Sequence, residues 1–350
     1  MSSVTRKLAY FDRWVSSVAH EIFAAQPDID LYRLSADDPD DAVWRVMSTV
    51  HGYQILPRGE LKEPWFGNAR LIGRCPNLLA ITSTGAGYDM IDVNACTDAG
   101  IIVCNQSGSN NISVAEHAMG LILSLIRKIA VADKAVRTEA NLDRFEWTGS
   151  DLHGKVVGIV GLGNIGSRVA QLCVAFGTTV IAFDPYLTAE QIFDVYGARK
   201  VGFQNLLKQA DVISVHCPRS EETMGMFGAP EFSAMKPSAY FVSTARGGIH
   251  DEQALAHALR EQNIAGAGVD VFLNEPPALD NPLLHIQNVI ATPHTAGLSK
   301  EALDSMARFA AEQWISIFSG SVPPRLINPE AWPEYCRRFR EIFGLTPASL

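Results

Sequence analysis

Val156-Val-Gly-Ile-Val160, Gly161-Leu-Gly-Asn-Ile-Gly166, a helical pattern that closes at Gly177, then Val180-Ile-Ala-Phe-Asp184: this run reads as strand, glycine turn, helix, strand and acid. Each part has a physical job. Gly161 permits the tight turn out of the strand, Gly163 lets backbone approach a pyrophosphate, and Gly166 lets the helix pack on the strand. The start of that helix, at Asn164 and Ile165, offers backbone N–H groups to phosphates. Asp184 ends the second strand at the distance the dinucleotide fingerprint requires, where it would accept hydrogen bonds from a ribose 2′-hydroxyl. A carboxylate there repels a 2′-phosphate, so NAD is favoured over NADP, and Pro185-Tyr186 supplies no arginine to reverse this. A glycine hexad alone says little. Flanked by two strands, a glycine stop and the acid, it points to a bound dinucleotide.

Counting from this run, strands are expected at Val156 to Val160, Val180 to Phe183, Val212 to His216, Tyr240 to Ser243, Ala267 to Val271 and Val289 to Thr292. Six strands with helical segments between them make a complete doubly wound dinucleotide domain. Upstream, the apolar runs Leu8 to Phe11, Ile29 to Leu34, Tyr53 to Leu56, Leu78 to Thr82 and Ile101 to Asn105 alternate with helical patterns, which predicts a second parallel sheet. Ser83-Thr-Gly-Ala-Gly-Tyr-Asp89 follows the fourth of these; it is an ordinary turn or a backbone nest for an anion. Past Gly297 a helix begins near Lys300, and Pro323-Pro324 with Asn328-Pro329 mark an irregular tail. That tail is too short for a domain of its own and is expected to return to the first one. The fold class is therefore α/β with two doubly wound domains. A Rossmann NAD-binding domain, residues 108–298, is inserted into a flavodoxin-like substrate domain, residues 1–107 and 299–350.

The 350 residues suffice for two cores, and a net charge of −9 offers no basic footprint for nucleic acid or an anionic membrane. Six cysteines without C-x-x-C spacing fit reduced thiols in a cytoplasmic protein better than disulfides or a metal site. Arg6, Lys7, Asp12 and Arg13 interrupt any signal-like apolar segment, and the apolar stretch Ala118 to Ile126 is too short to span a bilayer. Ser113-Val-Ala-Glu116 reads as a capping box opening a long helix with apolar positions Ala115, Ala118, Met119, Ile122, Leu123, Ile126 and Ile129. Such a helix packs within its own chain or against a partner subunit.

Ligands of open α/β sheets bind beyond the carboxyl ends of the strands. In the later domain those ends carry the glycines, Asp184, His216-Cys217-Pro218, Thr244-Ala245-Arg246-Gly247-Gly248, Asp270 followed by Glu275, and Pro293-His294-Thr295-Ala296-Gly297. Reduction of a ketone needs a hydride at carbon and a proton at oxygen, and histidine exchanges protons near neutral pH. His294 fits that role. A carboxylate on its other ring nitrogen would fix the tautomer and favour the protonated ring, and Glu275 is the candidate. Arg246 could clamp a substrate carboxylate through its planar fork. Taken singly, each has a bland reading as a salt-bridged, loop or structural residue; their common edge argues for the set.

These motifs, together with Val114-Ala-Glu-His117 and Asn328-Pro-Glu330, resemble the D-isomer-specific 2-hydroxyacid dehydrogenase family over nearly the whole chain. The resemblance implies Arg246 as substrate clamp, His294 as general acid and base tuned by Glu275, and Ala86 and Gly87 as backbone donors to the substrate carboxylate. It places His216, Cys217, Pro218, Thr244, Ala245, Asp270, His294 and Gly297 along the cofactor. It also implies a homodimer joined through residues 113–148 and two domains that close over the substrate. Ser243 stands where many members have Asn, and Arg219-Ser220 where Leu-Thr is frequent. Glu275 argues against a formate dehydrogenase, which carries Gln there. No appended regulatory domain of the sort some phosphoglycerate dehydrogenases carry is expected. A glyoxylate/hydroxypyruvate reductase or broad 2-ketoacid reductase leads, with 3-phosphoglycerate dehydrogenase second. A dinucleotide-sensing protein of corepressor type is the alternative of another class. Tyr53, Arg58, Tyr88 and Trp147 are unplaced candidates for the side-chain pocket.

Overall fold

The computed structural model describes residues 5–56 and 61–350, so Arg58 lies outside the described residues. Five strands come first: β1 (Arg6–Phe11), β2 (Ile29–Leu34), β3 (Gly52–Ile55), β4 (Ala80–Ser83) and β5 (Ile102–Cys104). Seven follow: β6 (Val156–Val160), β7 (Thr179–Phe183), β8 (Arg199–Lys200), β9 (Val212–Val215), β10 (Tyr240–Ser243), β11 (Gly266–Val269) and β12 (Val289–Ala291). The first sheet runs β2-β1-β3-β4-β5 and the second β12-β11-β10-β9-β6-β7-β8, with every ladder parallel. The first order is that of flavodoxin; the second is the Rossmann order with one strand added beyond its sixth. Two compact units hold them, one made of the residues up to Asn110 with Ser299–Leu350, the other of Asn111–Leu298.

Parallel strands are buried on both faces, so their side chains divide between two apolar layers. In β1, Leu8 and Tyr10 point into one layer while Ala9 and Phe11 point into the other. In β10, Phe241 and Val242 part in the same way. One layer of the first unit is completed from the far end of the chain by Trp314, Phe318, Trp332, Tyr335 and Phe339. The side chain of Asn328 locks that segment in place: its Oδ1 accepts from Val103 N–H at 2.7 Å, and its Nδ2 donates to the Ile101 carbonyl at 3.0 Å.

Four sequence expectations need correction. The second sheet has a seventh strand, β8, whose two residues Arg199 and Lys200 carry no apolar signal because they form the sheet edge. The long helix spans Asn111–Ile126, so Ser113 lies inside its first turn and does not cap it. Ile129 is 55% exposed, because Lys128 adopts a left-handed backbone (φ 55°) and starts a separate helix, Ile129–Thr138. The tail read as irregular contains the helix Trp332–Phe343. The remaining strands match to within one or two residues at each end. All six cysteines are free thiols. No helix among the described residues is long and apolar enough to cross a membrane.

His250 follows the Arg246 loop into the core, its ring 5.5 Å from that of Phe241, and neither ring nitrogen has a hydrogen-bond partner. Burial pushes it down to about 4, against a smaller upward pull from Asp251. Unfolded chains take up this proton from about pH 6.5 downward, whereas the folded state stays neutral until about 4. Stability from this residue is thus full above pH 6.5 and drains away as pH falls through that window. His250→Leu should flatten the fall in Tm between pH 7 and pH 5, measured by thermal denaturation across that range. An unchanged slope would count against it.

Candidate active site

The second sheet brings its strand ends to one edge because every strand is parallel. After β6 the chain turns at Gly161, whose φ is 88°, and a Cβ on Gly166 would lie 1.9 Å from the Gly161 carbonyl oxygen. Only glycine lets the helix Asn164–Ala175 start this close to the strand. A Cβ on Gly163 would meet nothing within 4 Å, and the helix has no side-chain cap there. That is an open cradle of the kind a pyrophosphate fills. Asp184, after β7, is 8% exposed; its Oδ2 accepts from Leu162 N–H at 2.9 Å and its Oδ1 from Tyr186 N–H at 2.9 Å. The acid therefore also ties the glycine turn to the second strand.

His216 closes β9 with Nε2 2.8 Å from Ser214 Oγ, and burial pushes it down to about 3, so the ring is neutral at physiological pH. Burial also raises the Cys217 thiol to about 11, which leaves it no thiolate reactivity near neutrality. Pro218 follows. Beyond β10, Ser243 Oγ and Thr244 Oγ1 are buried without a hydrogen-bond partner, as is His216 Nδ1. Orphaned polar atoms are costly unless a ligand or water meets them. Gathered at the edge that carries the cradle, they fit a dinucleotide.

Ala245 is buried and Arg246 half-buried, with Arg246 Nη1 donating to the Ala245 carbonyl at 2.8 Å. A Cβ on Gly247 would lie 1.9 Å from the Phe272 carbonyl oxygen, so the arginine loop rests directly on the backbone that leads to Glu275. Glu275 Oε1 accepts from Phe272 N–H at 3.0 Å, and Oε2 lies 2.7 Å from His294 Nδ1. A carboxylate only accepts, so Nδ1 carries a proton and Nε2 is left for other partners. Burial works to raise the Glu275 carboxyl, but the His294 hydrogen bond and charge, the Phe272 N–H and the Arg246 guanidinium together hold it below its usual range. The His294 side chain is 41% exposed and that of Glu275 17%, so the acid is sheltered while the ring remains accessible.

Sequence reasoning missed what holds the histidine loop. Asp270, fully buried after β11, accepts from Thr292 Oγ1 at 2.6 Å, Thr295 N–H at 2.9 Å and Ala296 N–H at 2.9 Å, while its carbonyl accepts from His294 N–H at 2.8 Å. Its carboxylate thus organises the turn from which His294 projects with a left-handed backbone (φ 56°) and which ends at Gly297. The Thr292 hydrogen goes to Asp270, so at 3.1 Å His117 Nε2–H donates to the Thr292 oxygen. In the sequence His117 closes the Val114-Ala-Glu-His117 motif, which carries the family resemblance but assigns this histidine no role. Ala86 and Gly87 lie in the first unit, half-buried in the loop after β4. Tyr53 is fully buried and donates its hydroxyl hydrogen to the Trp65 carbonyl at 2.9 Å, which takes it out of any pocket. No cluster of metal ligands occurs among the described residues.

The sequence model for the D-isomer specific 2-hydroxyacid dehydrogenase, NAD binding domain, matches residues 119–296, the stretch that contains this edge. The chain belongs to the D-isomer-specific 2-hydroxyacid dehydrogenase family. The D-3-phosphoglycerate dehydrogenase of Archaeoglobus fulgidus is 42% identical over 261 residues, covering 75% of this chain and 49% of that protein. The glyoxylate reductase of Korarchaeum cryptofilum is 36% identical over 266 residues, covering 75% of this chain and 80% of that one. The crystal structure of D-lactate dehydrogenase from Aquifex aeolicus, complexed with NAD and lactic acid, superposes with a TM-score of 0.78 at 25% identity, covering 91% of this chain and 98% of that one. The chain spans about half the length of the phosphoglycerate dehydrogenases it matches. As a family member it carries the family's NAD-binding domain.

Proposed function

We propose that this chain interconverts a 2-ketoacid and a D-2-hydroxyacid with NAD(H). The observation that carries the reading is the 2.7 Å contact between His294 and a sheltered, ionised Glu275, on the strand edge that also holds the dinucleotide cradle. Gly161, Gly163, Asn164, Ile165, Gly166 and Asp184 would hold the diphosphate and ribose. His216, Cys217, Pro218, Thr244, Ala245, Asp270 and Gly297 would line or support the rest of the cofactor site. When bound, the nicotinamide supplies or takes the hydride. Arg246 orients the substrate carboxylate and polarises its carbonyl, with Ala86 and Gly87 N–H groups as further donors. His294 holds a proton on Nε2 and gives it to the carbonyl oxygen during reduction; Glu275 stabilises the charged ring and fixes its orientation.

Glyoxylate or hydroxypyruvate, or a broad range of 2-ketoacids, is the substrate class we favour, supported by the glyoxylate reductase likeness. The 42% identity to a phosphoglycerate dehydrogenase keeps 3-phosphohydroxypyruvate as the second reading. Homodimerisation through residues 113–148 is supported by apolar side chains exposed along that stretch: Ile129 at 55%, Val136 at 70% and Phe145 at 70%. A cytoplasmic setting fits the free cysteines. A steady-state panel of glyoxylate, hydroxypyruvate, pyruvate, phenylpyruvate, branched 2-ketoacids and 3-phosphohydroxypyruvate with NADH tests the proposal. Negligible NADH oxidation across it, with NADH still bound, would leave a dinucleotide-sensing protein instead. The same assay should show kcat/KM with NADH about 100-fold or more above that with NADPH, since Asp184 opposes the extra phosphate. Equal values would refute that role for Asp184.

A further inference from the structure

The loop after β4 carries Ala86 and Gly87, and each of their N–H groups shares a peptide with the carbonyl of the residue before it. A trans peptide is planar with C=O and N–H opposed, so a pinned carbonyl decides where the N–H points. The cis peptides among the described residues lie elsewhere, at Glu63-Pro64 and Glu275-Pro276. The Gly85 carbonyl accepts from Ser83 Oγ–H at 2.7 Å and from Gln106 N–H at 2.9 Å. The Ala86 carbonyl accepts from Asn105 Nδ2 at 2.7 Å. Both carbonyls thus face the segment that follows β5, and the N–H groups of Ala86 and Gly87 face away from it. Neither meets an acceptor among the described residues.

Asn105 is itself held from several sides. Its Oδ1 accepts from Ser107 N–H at 3.2 Å, its N–H donates to the Arg325 carbonyl at 3.4 Å, and its own carbonyl accepts from Gln313 Nε2 at 3.1 Å. Turning the amide over would set donor against donor at Ser107 and acceptor against acceptor at Ala86, so one orientation is fixed. Asn105 is 6% exposed and Ser83 3%, which removes water as a substitute partner.

We propose that Asn105 and Ser83 are positioning residues that hold the Ala86 and Gly87 N–H groups as a two-pronged receptor for the substrate carboxylate. The inference rests on the reading that these groups take that carboxylate. Asn105→Asp isolates the device. The aspartate keeps an oxygen toward Ser107 N–H but turns its other oxygen on the Ala86 carbonyl. Two acceptors in contact are relieved by turning the peptide over, which presents the Ala86 carbonyl to the substrate in place of the Gly87 N–H.

Oxamate and its neutral isostere oxamide, titrated as inhibitors of NADH-dependent 2-ketoacid reduction, read the receptor directly. Wild type should prefer oxamate by about tenfold or more, the weight of a charge-assisted hydrogen bond. In Asn105→Asp that preference should collapse to within about threefold, and Ser83→Ala should give a partial loss in the same direction. The Kd for NADH should stay close to wild type in both folded variants, which a defect spread through the whole chain would not allow. Retained oxamate preference in either folded variant overturns the proposal while the carboxylate reading stands. Equal or undetectable binding of the two compounds to wild type removes that reading and the proposal with it. Should Asn105→Asp not fold, Ser83→Ala alone decides.

Discussion

His294→Ala is expected to lower the rate of 2-ketoacid reduction by about two to four orders of magnitude, the weight of a lost general acid. The ring is the group at this edge that can carry a proton on an accessible nitrogen while its other nitrogen is engaged by a carboxylate 2.7 Å away. Removing it also frees Glu275 from the contact that holds its carboxyl below the usual range. The variant site thus loses its proton donor and keeps a partly sheltered acid that cannot replace it. Stopped-flow NADH oxidation separates this chemical defect from slow product release, and a fluorescence titration should give a near-normal Kd for NADH. Turnover close to wild type would sink the assignment of His294.

Gly247→Ala should be nearly as damaging, although the residue bears no side chain and performs no chemistry. Its Cβ would lie 1.9 Å from the Phe272 carbonyl oxygen and 2.6 Å from the Leu273 nitrogen. Both contacts are backbone, so no side chain can swing aside. Arg246 is carried on one of the two segments and Glu275, through its bond to Phe272 N–H, on the other. Forcing them apart by even about 1 Å can cost 100-fold in a reaction that depends on alignment. We expect kcat/KM to fall by about that factor or more, with NADH affinity less affected because the glycine cradle after β6 is untouched. Circular dichroism and Tm would show whether the chain still folds; a folded variant with wild-type kinetics would contradict the argument.

The strands were legible where burial on both faces makes the apolar run continuous, as in Val156-Val-Gly-Ile-Val160 and Tyr240-Phe-Val-Ser243. At β8 that signal is absent: Arg199 and Lys200 are held by backbone pairing to β7, and nothing in two charged residues announces a strand. The helix Trp332–Phe343 was legible in principle, since Trp332, Tyr335 and Phe339 recur at helical spacing, but Pro323-Pro324 and Asn328-Pro329 just before it read as the mark of an irregular tail; Pro333 itself occupies the first turn, where proline is tolerated. The opening of the long helix was misread for a similar local reason. A Ser-x-x-Glu pattern is a cap only if the chain has not already begun to coil, and here it begins at Asn111. In the site, His294 and Glu275 could be paired in advance because each follows a strand end. The enclosure of Asp270 by Thr292, Thr295 and Ala296 could not, since it depends on how the turn after β12 folds back over the end of β11.

The way the first sheet is finished has a consequence for the chain while it is being made. Val103 and Asn328 stand 225 residues apart in sequence, yet the asparagine side chain supplies an acceptor to the strand's backbone. The apolar layer over Leu8, Tyr10, Ala80 and Ile102 is completed by Trp314, Phe318, Trp332, Tyr335 and Phe339, all made after the whole of Asn111–Leu298. At roughly 5 to 20 residues per second, the ribosome needs on the order of ten seconds or more to synthesise that intervening stretch. Throughout that interval the earliest strands wait with one face only partly covered, by Trp14, Ala19 and Phe23 of the segment after β1, while the continuous unit between them can already collapse on its own. The nascent chain is therefore most exposed to aggregation, and most in need of chaperone cover, in the part translated first.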